Sequence, residues 1–104
     1  MKILLEPVVF DWDKGNIDKN LHKHNVLDKE AEEVFENEPK FIFEDERHSL
    51  TEIRYMVWGI TDKGRRLLVF FTQRGRRVRI ISARDMHKKE RRAYEEEIQK
   101  ATKV

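Results

Sequence analysis

The residues able to carry acid-base or phosphate chemistry gather in two places, a short segment holding His24 and a basic run over residues 63–92. Residues 63–92 contain twelve Lys and Arg against two acids, a net of +10, whereas residues 28–62 hold eleven acids and four bases, a net of −7. A run this basic in a chain of net charge +2 is the electrostatic footprint of a polyanion-binding face. The pattern equally fits solvated strand and helix faces folded back onto the acidic half. Imidazole changes charge close to neutral pH, which makes His24 the natural acid or base. It shares a helical face with Ile17 and Leu21, a position that also suits a satisfied core histidine. His22 and His24 stand about 200° apart around a helix and cannot share a metal through it. Asp11 and Asp13 flank Trp12 on one side of a strand, but no third ligand stands at metal spacing, so no cation site is expected.

Strand alternation places Arg77, Arg79 and Ile81 on one face of the fifth strand and Val78, Ile80, Ser82 and Arg84 on the other. The second set ends in Ser82 and Arg84, beside the start of the last helix, where Arg91 and Tyr94 stand three residues apart. Arginines, a hydroxyl and an aromatic at one sheet end suit a phosphate and a stacked base, or alternatively a salt-bridged rim. Glu90 falls within the apolar stripe of that helix and needs a partner, Arg79 or Arg84, unless the stripe is wet there. An arginine oriented by Glu90 would present its planar fork to phosphate.

These side chains need a scaffold, and the hydrophobic pattern supplies one. Val8–Trp12 reads as a strand, Asn16–His24 as a helix ended by Asn25 in the left-handed conformation, and a second helix follows Asp28 as N-cap and stops before Pro39. Phe41–Glu44, Arg54–Thr61, Leu67–Gln73 and Val78–Ala83 are strand-like runs, with turns at Asp62-Lys63-Gly64 and Arg74-Gly75-Arg76 that make the last three an antiparallel meander. A helix from Met86 to Lys100, capped by Asp85, closes the chain, with Met86, Ala93, Ala101 and Val104 inward. The order β-α-α-β-β-β-β-α predicts an α+β two-layer sandwich, with helices over one face of an antiparallel sheet.

Composition bounds the rest. A length of 104 residues gives a single domain over 1–104 with one modest core. Ten aromatics spread along the chain argue against disorder despite 40% charged residues. Zero cysteines exclude a disulfide scaffold, a thiolate metal site and a cysteine nucleophile, and fit a reducing cytoplasm. The opening MKILLEPVVF is too short and too interrupted for a signal peptide or membrane span.

The runs FDWDKGNIDKNLHKH (Phe10–His24), AEEVF (Ala31–Phe35) and RIISARDMHKKERRAYEE (Arg79–Glu96) resemble the BrnT family of bacterial type II toxins. That resemblance covers roughly Val8 to Glu96, departs at Asn25, where the family often has glycine, and is weak over the loop from Glu44 to Glu52. It implies a RelE-like ribonuclease that arrests growth by cutting RNA in the cytoplasm, without metal or cofactor. It also implies a cognate BrnA-type antitoxin, hetero-oligomer formation with it, and contact with operator DNA only through it. Arg54, Arg79 and Arg84 match recurring family positions and are expected to stabilise the phosphorane, with His24 as acid or base and Glu90 and Tyr94 orienting arginines or a base. Lys23, Arg77, Lys88 and Arg91 are expected to bind the RNA backbone. A non-catalytic nucleic-acid-binding or protein-interaction module using residues 63–92 is the alternative.

Overall fold

A computed structural model describes Leu4, residues 6–48 and residues 51–102. The elements are β1 (Val9–Phe10), α1 (Lys19–His24), α2 (Asp28–Glu36), β2 (Phe41–Glu44), β3 (Arg54–Ile60), β4 (Arg66–Arg74), β5 (Arg77–Asp85) and α3 (Lys88–Thr102), with a 3-10 turn at Glu46–His48. The predicted order therefore holds, and β3, β4 and β5 form the expected antiparallel meander. The sheet runs β1-β5-β4-β3-β2 and is mixed, because β1 pairs parallel to β5. This corrects the all-antiparallel expectation: α1, α2 and three strands intervene between β1 and β5, so no tight turn dictates their relative direction.

The expected two layers are corrected as well. One sheet face carries Val57, Leu67, Val69, Phe71, Val78, Ile80 and Ala83, which pack with Ala31, Val34 and Phe35 of α2. Edge-to-face rings link Phe10 to Phe35 and Phe35 to Phe71, with centroids 5.3 and 5.0 Å apart. Helix α3 lies against the opposite face. Its Tyr94 ring meets Phe41, its Glu90 pairs with Arg84 and its Glu95 with Arg66, and by register all three partners point away from that core.

Helix α1 covers neither face but lies along an edge. Only Arg77 and Val78 of β5 pair with β1. Beyond them, side chains take over the open edge: Asn16 Nδ2 donates to the Ile80 carbonyl (3.2 Å), Lys19 Nζ to that of Ile81 (3.2 Å), and Asn20 Oδ1 accepts the Ala83 N–H (2.9 Å). These bonds satisfy backbone groups that would otherwise offer a pairing edge. The helix is shorter than predicted, buries Asn20, and leaves Ile17 52% exposed, so the expected Ile17–Leu21–His24 inner face is not the one used.

Helix starts also move. Asn25 adopts the expected left-handed conformation (φ 55°). The N-caps, however, are Leu27 and His87 rather than Asp28 and Asp85, because a glutamate three residues on reaches back in each case. Glu30 Oε1 accepts the Leu27 N–H (3.0 Å) and Glu90 Oε1 the His87 N–H (2.8 Å). Helix α3 buries Tyr94, while Ala101 is exposed and Val104 lies outside the described residues.

Gly59 sets how closely α2 can approach β3, since a Cβ there would lie 2.6 Å from Val34 Cγ1 and 3.2 Å from the Val34 carbonyl oxygen. Gly59→Ala should therefore cost about 1–3 kcal/mol. Thermal unfolding should show the drop, and an unchanged melting temperature would contradict this packing.

Candidate nucleic-acid interface

The face bearing α3 is built by register. Phe41, Trp58, Leu68 and Arg84 form one cross-strand row and Phe43, Met56, Phe70 and Ser82 the next, followed by Arg54, Thr72 and Arg79. Tyr94 of α3 lies at the first row. In the second, Met56, Phe70 and Ser82 are half-buried and Phe43 is exposed, a mostly apolar floor with one hydroxyl. Neighbouring strands stand about 4.8 Å apart, so Arg54 and Arg79 are about 10 Å apart at their Cα atoms, with Thr72 between them.

Ser82 and Arg84 reach this face because β5 carries one residue more than β4 opposite it. Phe70 pairs with Ser82 but Phe71 with Ile80, which leaves Ile81 unmatched as a bulge. Strict alternation would have turned Ser82 and Arg84 toward the α2 core and away from Arg79. The bulge instead sends Ala83 into the core and unites Arg79, Ser82 and Arg84 on one side.

Two of the three β5 arginines, Arg79 and Arg84, are held by carboxylates. Arg84 Nη1 and Nη2 donate to Glu90 Oε1 and Oε2 at 2.7 and 2.9 Å, the orientation by Glu90 that the sequence suggested. Arg84, with help from the His87 N–H, keeps the Glu90 carboxyl below its ordinary range, so Glu90 is an anion and not a proton donor. Arg79 Nη1 and Nη2 donate to Asp13 Oδ2 and Oδ1 at 3.0 and 2.9 Å, and Asp11 stands 3.6 Å from Nη1. Asp11 and Asp13 thus converge on a guanidinium. Sequence reasoning missed Asp13 as a partner of Arg79, although the Asp13-x-Gly15 spacing is an Asx-turn signal, realised by the Gly15 N–H on Asp13 Oδ1 (2.7 Å).

The other predicted site residues divide. Arg54 joins the Arg79 row. Lys23, Lys88, Arg91 and Arg77 are exposed and make no ion pair with a described residue, which leaves their charge available to a polyanion. His24 is exposed at the end of α1, where its carbonyl accepts from Arg65, and it lies close enough to Asp85 to help lower that carboxyl. Asp85 pairs in register with Leu67, on the α2 side of the sheet, so His24 stands beside that side and not in the Arg54–Arg79 row.

Tyr94 is 1% exposed, donates to the Pro39 carbonyl at 2.6 Å, and has its phenol pKa raised by burial. It is a packed strut rather than a stacking platform, which corrects the expectation that it emerges at the sheet end. Arg65 was not singled out beforehand, yet its guanidinium joins Asp85 (2.6 Å), Glu30 (3.1 Å) and the Asn25 carbonyl (2.8 Å), tying β5 and both N-terminal helices together.

The domain has a mixed-sheet α+β fold that gathers arginines over a partly apolar sheet face, an arrangement suited to binding a polyanion. A model of the family described as ribonuclease toxin, BrnT, of type II toxin-antitoxin systems matches residues 12–90, and the chain belongs to that family. No curated protein matches the sequence. Family membership implies an antitoxin protein as partner and RNA as substrate. Among the described residues no helix is long and apolar enough to cross a membrane.

Two outcomes follow from this geometry. Asp85, held low chiefly by Arg65, and Glu90, held low chiefly by Arg84, contribute stability above their ordinary carboxylate range that is lost as falling pH protonates them. The melting temperature should fall between about pH 5 and pH 3, and less steeply in Glu90→Gln; equal slopes would contradict the pairing. Tyr94→Phe should cost about 1 kcal/mol by leaving the Pro39 carbonyl unpaired, while RNA binding stays as in the parent. A binding loss in folded protein would return Tyr94 to the interface.

Proposed function

We propose that this chain is a metal-independent endoribonuclease toxin, a RelE-like domain over 1–104, that cuts cytoplasmic RNA on the sheet face bearing α3. The observation that carries this reading is the Ile81 bulge, which sets Arg79, Ser82 and Arg84 on one face with Arg54 and the Met56–Phe70 floor. In metal-free cleavage the 2′-oxygen attacks phosphorus, the bond to the 5′-oxygen breaks, one proton leaves the 2′-hydroxyl and one joins the 5′-oxygen. The phosphorane between these events carries extra negative charge, which fixed guanidinium groups stabilise. Arg79 and Arg54 suit that role. Arg84, oriented by Glu90, suits a neighbouring phosphate, and a base can lie on Phe70 or Phe43. Lys88, Arg91 and Arg77 add backbone attraction at the rim, and Lys23 adds positive charge at the end of α1. His24 stands away from the arginine row, so arginine charge rather than its imidazole carries the rate in this reading.

The partner in this reading is a BrnA-type antitoxin whose acidic or amphipathic segment covers the basic face, forming a hetero-oligomer that alone brings the toxin to operator DNA. The experiment is cleavage of a fluorogenic single-stranded oligoribonucleotide in EDTA, with growth scored on tight induction in bacteria. Arg79→Ala should lose about 100-fold or more in kcat/KM, the scale of removing one donor from a charge-stabilising site, with His24→Ala within about threefold. Salt-dependent binding without a cut product would leave the non-catalytic binding module as the reading. Loss of activity in His24→Ala with full activity in Arg79→Ala would reverse the assignment of roles.

A further inference from the structure

Arg79 faces two carboxylates and no second cation is held against them at ion-pair distance among the described residues. Its side chain is 14% exposed, while that of Asp13 is 57% exposed, in the turn that precedes α1. Asp13 takes both Nη atoms, the edge by which guanidinium grips a carboxylate or phosphate, and the Nε–H makes no bond to a described residue. The fit is close, since a Cβ on Gly15 would lie 2.8 Å from Arg79 Nη2 and 3.1 Å from Asp13 Oδ1. A phosphate approaching this guanidinium meets an occupied fork and the negative charge of Asp11 and Asp13. The buried side of the contact is the arginine, fixed on the sheet; the exposed side is the carboxylate, which can turn into solvent at small cost.

We propose that Asp13 occupies the phosphate position on Arg79 in the free protein and that a nucleic-acid phosphate displaces it, so that Asp13 sets the affinity and KM of this site. The inference rests on the placement of RNA on this face. It adds a positioning residue that acts through Arg79 and never touches the reacting atoms. Asp13→Asn keeps an oxygen for the Gly15 N–H and preserves the turn, but removes the charge and half of the two-pronged grip.

The test separates binding from cutting. Affinity for a fluorescent single-stranded 2′-deoxy oligonucleotide, which lacks the attacking hydroxyl, is measured for the full chain, Asp13→Asn, Arg79→Ala and the double variant. Glu36→Gln, on the exposed side of α2, controls for general charge removal. Asp13→Asn should bind about three- to fivefold more tightly than the parent, the scale of one exposed ion pair. Glu36→Gln should change affinity by less than about 1.5-fold, and the Asp13→Asn gain should vanish when Arg79 is alanine. With the cleavable oligoribonucleotide KM should fall by the same factor while kcat holds.

Tighter binding that persists in the Arg79→Ala background would overturn the proposal, as would unchanged or weaker binding in an Asp13→Asn protein whose far-ultraviolet circular dichroism matches the parent. If no variant binds the oligonucleotide, both this exchange and the placement of RNA on this face fall. If the oligonucleotide is bound with the predicted coupling but RNA is never cut, the ribonuclease reading fails and the exchange stands.

Discussion

One unmatched residue governs this molecule. Ile81 shifts β5 by one position against β4, and everything beyond it on the strand changes side. Ala83 turns into the core and is fully buried, whereas Ser82 and Arg84 turn toward α3 and share a face with Arg79. Without that extra residue the face beside α3 would lose an arginine and a hydroxyl, and the core would have to bury them. Bulges re-aim side chains at edges and next to working sites, and this one lies where β5 has lost β1 and gained side chains of α1 and of the turn before it. Lys19 and the two asparagines that bond the β5 edge thus secure the stretch whose phase decides the interface.

The second constraint is charge. A chain with 40% charged residues stays compact by pairing many of them across elements rather than along them. Arg65 bridges residues 20 and 35 positions away, Arg79 reaches Asp13, 66 positions away, and Arg84 the first turn of α3. These pairs fix arginine forks in space, and a fork already fixed loses less freedom when it meets phosphate. The cost is competition, because each pairing carboxylate also repels the polyanion. On Arg84 the half-buried Glu90 belongs to the capping of α3 and stays put. On Arg79 the exposed Asp13 belongs to a turn that can yield.

Much of the scaffold was legible in the sequence. Element order, the meander, the Asn25 terminator and the Glu90 partner follow from periodicity, turn residues and the cost of an unpaired carboxylate. The direction of β1 was not, because a strand of two residues joined through two helices leaves no turn signal. Nor was the side of the sheet taken by α3, since its stripe of Glu90, Tyr94 and Glu97 mixes packing with ion pairing. The phase of β5 beyond Ile80 was invisible, as nothing in RIISARD marks a bulge, and that single error misplaced Ser82 and Arg84. Tyr94 looked like an exposed aromatic because its partner, the Pro39 carbonyl, lies 55 residues away.

The central claim is that nucleic acid lies on the face that the bulge assembles. Backbone amide chemical-shift mapping with a 2′-deoxy single-stranded oligonucleotide addresses it directly, since every strand of the sheet can be followed at once. Shifts concentrated at Thr72, Arg79, Ser82 and Phe70, with those of Val34, Phe35 and Ala31 unmoved, are the predicted result. Shifts centred on His24, Asn25 and α2, with the Arg54–Thr72–Arg79 row silent, would contradict it.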